Sequence, residues 1–340
     1  MANQGKGGNA GSDCPVRPRR AAFAVLAASA VLASPPFVAR GAESIPKIGF
    51  LGYDSAVQAP RIAALREGLR ALGYIEGKNI VIDQRWAEGK FDRLPQLAAE
   101  LVADKVSVIV TAAPPLIQAA RQATSTIPIV ILTNNPVSQG FAGSFAHPGG
   151  NITGVAFQGD ELGMKQLSSL RDVVPGLLRV AILWNREGSG TEALAAVESA
   201  AQTLGLQARV FEVRNAAEIS AQVRAAKSWG AQGLIEIAAP LLTANRKVLI
   251  AELAANRLPA SCGLRDYVVD GCLMTYTADL DALFRQMAPF VVRILKGANP
   301  ADLPIEQPRE FVFVINKTTA DALGLKIPKW VEIQMSEPYL

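Results

Sequence analysis

The chain has 340 residues, half of them apolar, with 34 Lys and Arg against 30 Asp and Glu. Five of the basic residues (Lys6, Arg17, Arg19, Arg20 and Arg40) and one acid (Asp13) precede Ala42, leaving 29 of each beyond it. A neutral body with no Lys/Arg cluster longer than a pair lacks the basic face of a nucleic-acid binder, so no nucleic-acid partner is expected; the length suits two domains rather than one.

The first 41 residues have the three parts of an export signal: arginines at 17, 19 and 20, an apolar run from Ala21 to Ala33, and small residues at Ala39 and Gly41. Cleavage is expected near Gly41–Ala42. The run is too short for the ~20 residues that span a bilayer. Arg19-Arg20 followed by Phe23 partly matches a twin-arginine signal, and the general secretory route fits equally. Either route makes the mature chain periplasmic. Cys14 is lost on processing, which leaves Cys262 and Cys272 in a compartment where disulfides persist, either bonded to each other or as two buried thiols.

From Ile45 the chain alternates short apolar runs with helix-length amphipathic segments. Ile48–Leu51 reads as a buried strand, and Ile62, Leu65, Leu69 and Leu72 recur at helical spacing up to Gly73. Strands are expected at Ile80–Ile82, Val106–Val110 and Ile129–Leu132, with Asp92 capping a helix that buries Leu94, Leu97 and Leu101. The segment Asn134–Gly154 holds five glycines, two prolines and the sole histidine, His147, and leads into a strand at Ile152–Phe157. A second series follows: a helix over Glu161–Val174, strands at Val180–Trp184, Gln207–Val213, Leu234–Ile237 and Leu258–Ser261, and helices at Thr191–Leu204 and Leu242–Asn256. A strand over Leu273–Thr277, a helix over Leu280–Leu295 and a strand over Phe311–Ile315 close the pattern. Apolar runs without polar alternation belong to parallel sheets covered on both faces. The expected fold class is therefore α/β, with two doubly wound parallel-sheet lobes.

Ligands of open parallel sheets bind beyond the carboxyl ends of the strands. Candidate cleft residues are thus Tyr53, Asp54 and Ser55 after the first strand, Ala112 and Ala113 after the third, and Thr133, Asn134 and Asn135 after the fourth. The second lobe offers Trp184, Asn185, Ala238 and Ala239, with Tyr276 at a crossing between the lobes. Tyr53 and Trp184 read either as buried strand-end aromatics or as stacking surfaces. Asp54 reads as a helix cap or as an acceptor for a ligand ammonium group.

Catalytic signatures are missing. No lysine occurs between Lys105 and Lys165, so the glycine-rich segment is not a phosphate loop. His147 sits in a Pro-Gly-Gly turn without a nucleophile elbow. Gly188-Ser189-Gly190-Thr191-Glu192-Ala193 fits G-x-G-x-x-A, yet three residues separate it from the preceding strand, unlike a dinucleotide fingerprint. One histidine and two mature cysteines supply no metal-ligand cluster. No cofactor, metal or enzymatic activity is expected.

The stretches IPKIGFLGY, AALREGLRALGYIEGKNIVIDQRWAEGKFDRLPQLAAELV, NNPVSQGFAGSFAHPGGNITG and RILKGANPADLPIEQPREFVFVINKTTADALGLKIP together resemble the substrate-binding proteins of ABC transporters typified by tryptophan and tyrosine binders. The resemblance spans nearly all of residues 45–330. It implies a type I periplasmic-binding fold whose lobes are joined by three crossings, one lobe over 42–157 and 278–303 and the other over 158–277 and 304–340. It also implies a monomer that closes an interlobe cleft on a small-molecule ligand and delivers it to an ABC permease. An amino-acid-like ligand would place its carboxylate near Ser55 and Thr133 and its side chain against Tyr53 or Trp184. Relatives tend to read T-x-D-P-V where this chain has Asn135, one negative charge fewer if that residue faces the cleft; Cys262 stands where they often carry an aromatic. Other uses of the same cleft are ligand sensing for a membrane receptor and, more remotely, an exported hydrolase.

Overall fold

The computed structural model describes residues 45–157, 159–308 and 310–340; the expected export signal lies outside them. Strands β1 (Lys47–Gly52), β2 (Val81–Trp86), β3 (Val108–Ala112), β4 (Ile129–Thr133) and β5 (Ile152–Ala156) form one sheet in the order β2-β1-β3-β4-β5, parallel throughout. Strands β6 (Arg179–Trp184), β7 (Gln207–Glu212), β8 (Gly233–Glu236), β9 (Ala260–Ser261), β10 (Met274–Ala278) and β11 (Phe311–Ile315) form the other, in the order β11-β10-β9-β8-β6-β7. Here β11 runs antiparallel to β10, so the second sheet carries one antiparallel edge.

Both sheets are covered on both faces, and the sequence shows why. Along β1, β3 and β4, alternate residues feed different cores: Ile48, Phe50, Val108, Val110 and Val130 pack on one side, Leu51, Ile109, Ile129 and Ile131 on the other. In β6, Val180, Ile182 and Trp184 point to one core while Ala181 and Leu183 point to another. Each strand is apolar on both sides because each side is buried.

The chain passes between the sheets three times. After β5 the helix Gly159–Val173 joins the second sheet, packing on β8, β9 and β10. After β10 the helix Leu280–Leu295 returns to the first, against the helix Ser55–Ala71 and strands β3, β4 and β5. A 3-10 turn at Pro300–Asp302 beside β5 precedes the last passage, into β11.

Local structure departs from expectation where capping overrides hydrophobic spacing. The helix expected at Thr191 starts at Arg186, because the Asn185 Oδ1 accepts the Gly188 N–H; Gly190, at φ 77°, interrupts it. Asp92 lies within a 3-10 turn, and the helix Leu94–Ala103 has no side-chain cap. The segment expected as one helix over Leu242–Asn256 is two, Pro240–Ala244 and Arg246–Ala255, parted at Asn245. Strand β2 continues to Trp86, through polar residues that a search for apolar runs passes over.

The helices Ser55–Ala71 and Leu280–Leu295 meet at Gly68, where an added Cβ would lie 2.8 Å from the Arg285 carbonyl oxygen and 2.9 Å from the Ala288 Cβ. Helix propensity alone would make Gly68→Ala stabilising by ~1 kcal/mol, but the obstruction is backbone, and overpacking costs about 1–3 kcal/mol. Gly68→Ala is expected to lower the unfolding free energy by ~1 kcal/mol or more in urea denaturation.

Candidate functional site

In each sheet the strand order reverses once, between β1 and β3 in the first and between β6 and β8 in the second. Loops that leave neighbouring strands in opposite directions open a crevice there. The two crevices face one another across a cavity of about 140 Å³. Tyr53 and Asp54 after β1, Ala112 and Ala113 at the end of β3, and Leu132, Thr133 and Asn134 at the end of β4 line it from the first lobe. Gly188 and Ser189 after β6, Ala238 and Ala239 after β8, and Leu264 line it from the second. Phe157 and Phe284 add two aromatic rings that strand-end reasoning does not supply. A smaller recess shares Asn134, Phe157 and Ala238 with this cavity and is bounded by Gln166, Glu236 and Gly263.

The lining is held rigidly. Tyr53 is almost fully buried, its ring 4.8 Å from that of Phe91 and its hydroxyl donating to the Gly89 carbonyl at 2.9 Å. The Tyr53 N–H donates to the Gln58 Oε1 at 2.7 Å, and the Asp54 Oδ1 accepts the Val57 N–H at 3.0 Å, capping the first helix. Burial, and then the carboxylates of Asp54 and Glu187, push the Tyr53 phenol above its ordinary range. Ala113 sits at φ 73°, a left-handed conformation that strains a non-glycine residue; its N–H donates to the Leu132 carbonyl. The Thr133 hydroxyl donates to the Gln139 Oε1 at 2.6 Å.

Five expected ligand contacts lie outside the lining of both cavities, each for a structural reason. Trp184 is 3% exposed within the second lobe's core, its indole N–H donating to the Gly190 carbonyl. Asn185 spends its side chain on the Gly188 N–H and the Val213 carbonyl. Asn135 accepts from the N–H groups of Val137 and Ser138, shaping the turn rather than the cavity wall. Tyr276 stacks on Phe311 toward the antiparallel edge, and Ser55 opens the first helix beside Asp54.

Two charged residues that sequence reasoning passed over matter more. Arg61, its side chain 6% exposed, lines the cavity; its guanidinium bonds Asp266, on the second lobe, and Asp281 at 2.6 Å, in the first turn of the returning helix. The signal was present: Arg61 falls on the i, i+4, i+8 stripe with Leu65 and Leu69, where a charge must be paired. Glu236 ends β8, fully buried, accepting from the Gly263 N–H at 2.8 Å, with the Tyr267 hydroxyl at 3.0 Å. The loop that presents Gly263, Leu264, Asp266 and Tyr267 is closed by a disulfide between Cys262 and Cys272.

Burial without a cation raises the Glu236 carboxyl to about 7. The Tyr267 hydroxyl, which donates to Glu236, also lies 3.2 Å from the Thr243 Oγ1, which in turn donates to the Ala239 carbonyl.

This architecture, two α/β lobes with a cavity between their switch points, is the type I periplasmic-binding fold. The model of the family described as ABC transporter substrate binding protein matches residues 53–337, and the chain belongs to that family. A tyrosine-binding protein of Clostridioides difficile is 23% identical over 284 residues, covering 81% of both chains. Among solved structures, a complex with L-Trp from Streptococcus pneumoniae superposes with a TM-score of 0.81 at 23% identity, covering 86% of this chain and 99% of that one. A conserved domain protein from Vibrio cholerae gives the same values. The ligand-free, open structure of a substrate-binding protein with adhesive properties from Clostridium difficile gives 0.63 at 20% identity, covering 84% and 97%. Proteins of this family capture small solutes outside the cytoplasm and work with ABC permeases, and this chain is one of them.

Because the folded-state pKa of Glu236 exceeds its ordinary 4.5, the native state holds the proton more tightly than the unfolded chain. Stability should fall as pH rises from 4.5 to about 7, by on the order of 3 kcal/mol, and then level off. Glu236→Gln keeps an acceptor oxygen but carries no titrating proton, and is expected to flatten that slope in urea titrations run from pH 4.5 to 8.

Proposed function

We propose that the chain is exported by its first 41 residues, acts in the periplasm as a monomer without catalytic activity, and captures a compact molecule with an aromatic or other apolar body for an ABC importer. The observation that carries this reading is the cavity itself. Its walls come from both lobes, and Arg61 of the first bonds Asp266 of the second at its edge. A ligand seated against the first lobe gains its second set of contacts only when the lobes are together, so binding favours the closed state that a permease can recognise. Tyr53, Phe157 and Phe284 supply the aromatic surface. The tyrosine and tryptophan of the relatives support an aromatic body. Charge at the reacting positions supports binding over chemistry: Glu236 is satisfied by hydrogen bonds, Arg61 by two carboxylates, and His147 lies in an exposed turn.

A thermal-shift screen of amino acids, aromatic acids, amines, sugars and purines tests this. A ligand at 100 times its Kd adds ~2.7 kcal/mol, a few degrees of Tm for a chain of this size, and the compound should be recovered unmodified by mass spectrometry. An empty screen, or a compound consumed, would overturn the reading. Closure has its own test. Asp266→Asn should enlarge the radius of gyration in small-angle scattering and weaken the ligand found by about tenfold, whereas Asp281→Asn, on the same lobe as Arg61, should leave the radius unchanged.

A further inference from the structure

The charge on the cavity walls is one-sided. Among the described residues lining the cavity and its recess, Arg61 is the sole cation, and two carboxylates, Asp266 and Asp281, already share it. Asp54 faces the cavity with one oxygen on the Val57 N–H and no cationic partner among the described contacts. Burial is the main reason the Tyr53 phenol is raised, and two carboxylates, Asp54 from one lobe and Glu187 from the other, add to it.

Helix N-termini are the usual seat for a ligand carboxylate, and here they are blunted. The helix Pro114–Ala123 opens with two prolines, which have no N–H to offer, and the Ala113 N–H before them is taken by the Leu132 carbonyl. Pro240 likewise opens the turn after β8. The first helix meets the cavity with Asp54 itself as its cap, and the helix at Arg186 has its Gly188 N–H engaged by Asn185. Three aromatic residues, Tyr53, Phe157 and Phe284, line the same space, and their ring faces attract cations.

We infer that the cavity selects an apolar-bodied amine, a cation without a carboxylate, rather than an amino acid. The inference rests on the capture reading above and narrows it. Asp54 takes the ammonium group, the aromatic rings take the body, and a carboxylate meets Asp54 and an Arg61 already shared by two carboxylates.

The test is a matched series on the full mature protein by titration calorimetry: tyramine, L-tyrosine, 3-(4-hydroxyphenyl)propionate and 4-ethylphenol, which share one ring and differ in charge. Tyramine is expected to bind at least tenfold tighter than L-tyrosine, with the propionate weakest. Asp54→Asn, which can still cap the helix at Val57, should bring the tyramine to 4-ethylphenol affinity ratio close to one. Equal or tighter binding of tyrosine or the propionate would overturn the inference while the capture reading stands, as would an unchanged ratio in the variant. Should none of the four bind, the compound returned by the wider screen decides: an amine sustains the inference, a carboxylate overturns it, and an empty screen removes the capture reading and the inference together.

Discussion

The guanidinium of Arg61 is the point on which the lobes agree. It leaves the first helix, almost wholly buried, and bonds one carboxylate on each side of the cleft. A buried arginine without partners would cost several kcal/mol, so its neighbours are dictated by its presence. Its partners are Asp281, in the first turn of the returning helix, and Asp266, in the Cys262–Cys272 loop. The same loop carries Gly263 and Tyr267 to Glu236, so the contact between lobes and the buried acid share one short, covalently closed segment.

Sequence reasoning reached the architecture because parallel strands buried on both faces are written as unbroken apolar runs, and because Gly, Pro and Asn punctuate them. It reached much of the cavity as well: Tyr53, Asp54, Ala112, Ala113, Thr133, Asn134, Ala238 and Ala239 all follow strands that border a switch point or its neighbour. Trp184 and Asn185 follow such a strand too, but their side chains go to the core and to the helix start, and chain position cannot show which way a side chain turns. Phe284 could not be placed from local pattern, since its helix belongs to the first lobe only after the chain has crossed back. Arg61 and Glu236 were legible in principle as single charges within apolar stripes. Such charges are read as solvated until a partner is known, and their partners lie 205 and 31 residues away.

Similarity in shape to a tyrosine-binding and a tryptophan-bound relative is similarity of fold. A fold positions loops, whereas the residues on them decide what is recognised. Here two prolines stand at a helix start and an aspartate at another, and both choices act against an anion.

The return of the chain to its first lobe has a consequence for synthesis. Leu283, Phe284, Met287, Phe290 and Val291 complete the core around Ile48, Phe50 and Val110, and β11 completes the second sheet. One face of the first sheet can be covered by residues up to 152 and one face of the second by residues up to 272, but the opposite faces wait until the ribosome has passed residue 295 for the first and 315 for the second. A chain built this way leaves one side of each half open until the end of its translation and closes both almost together.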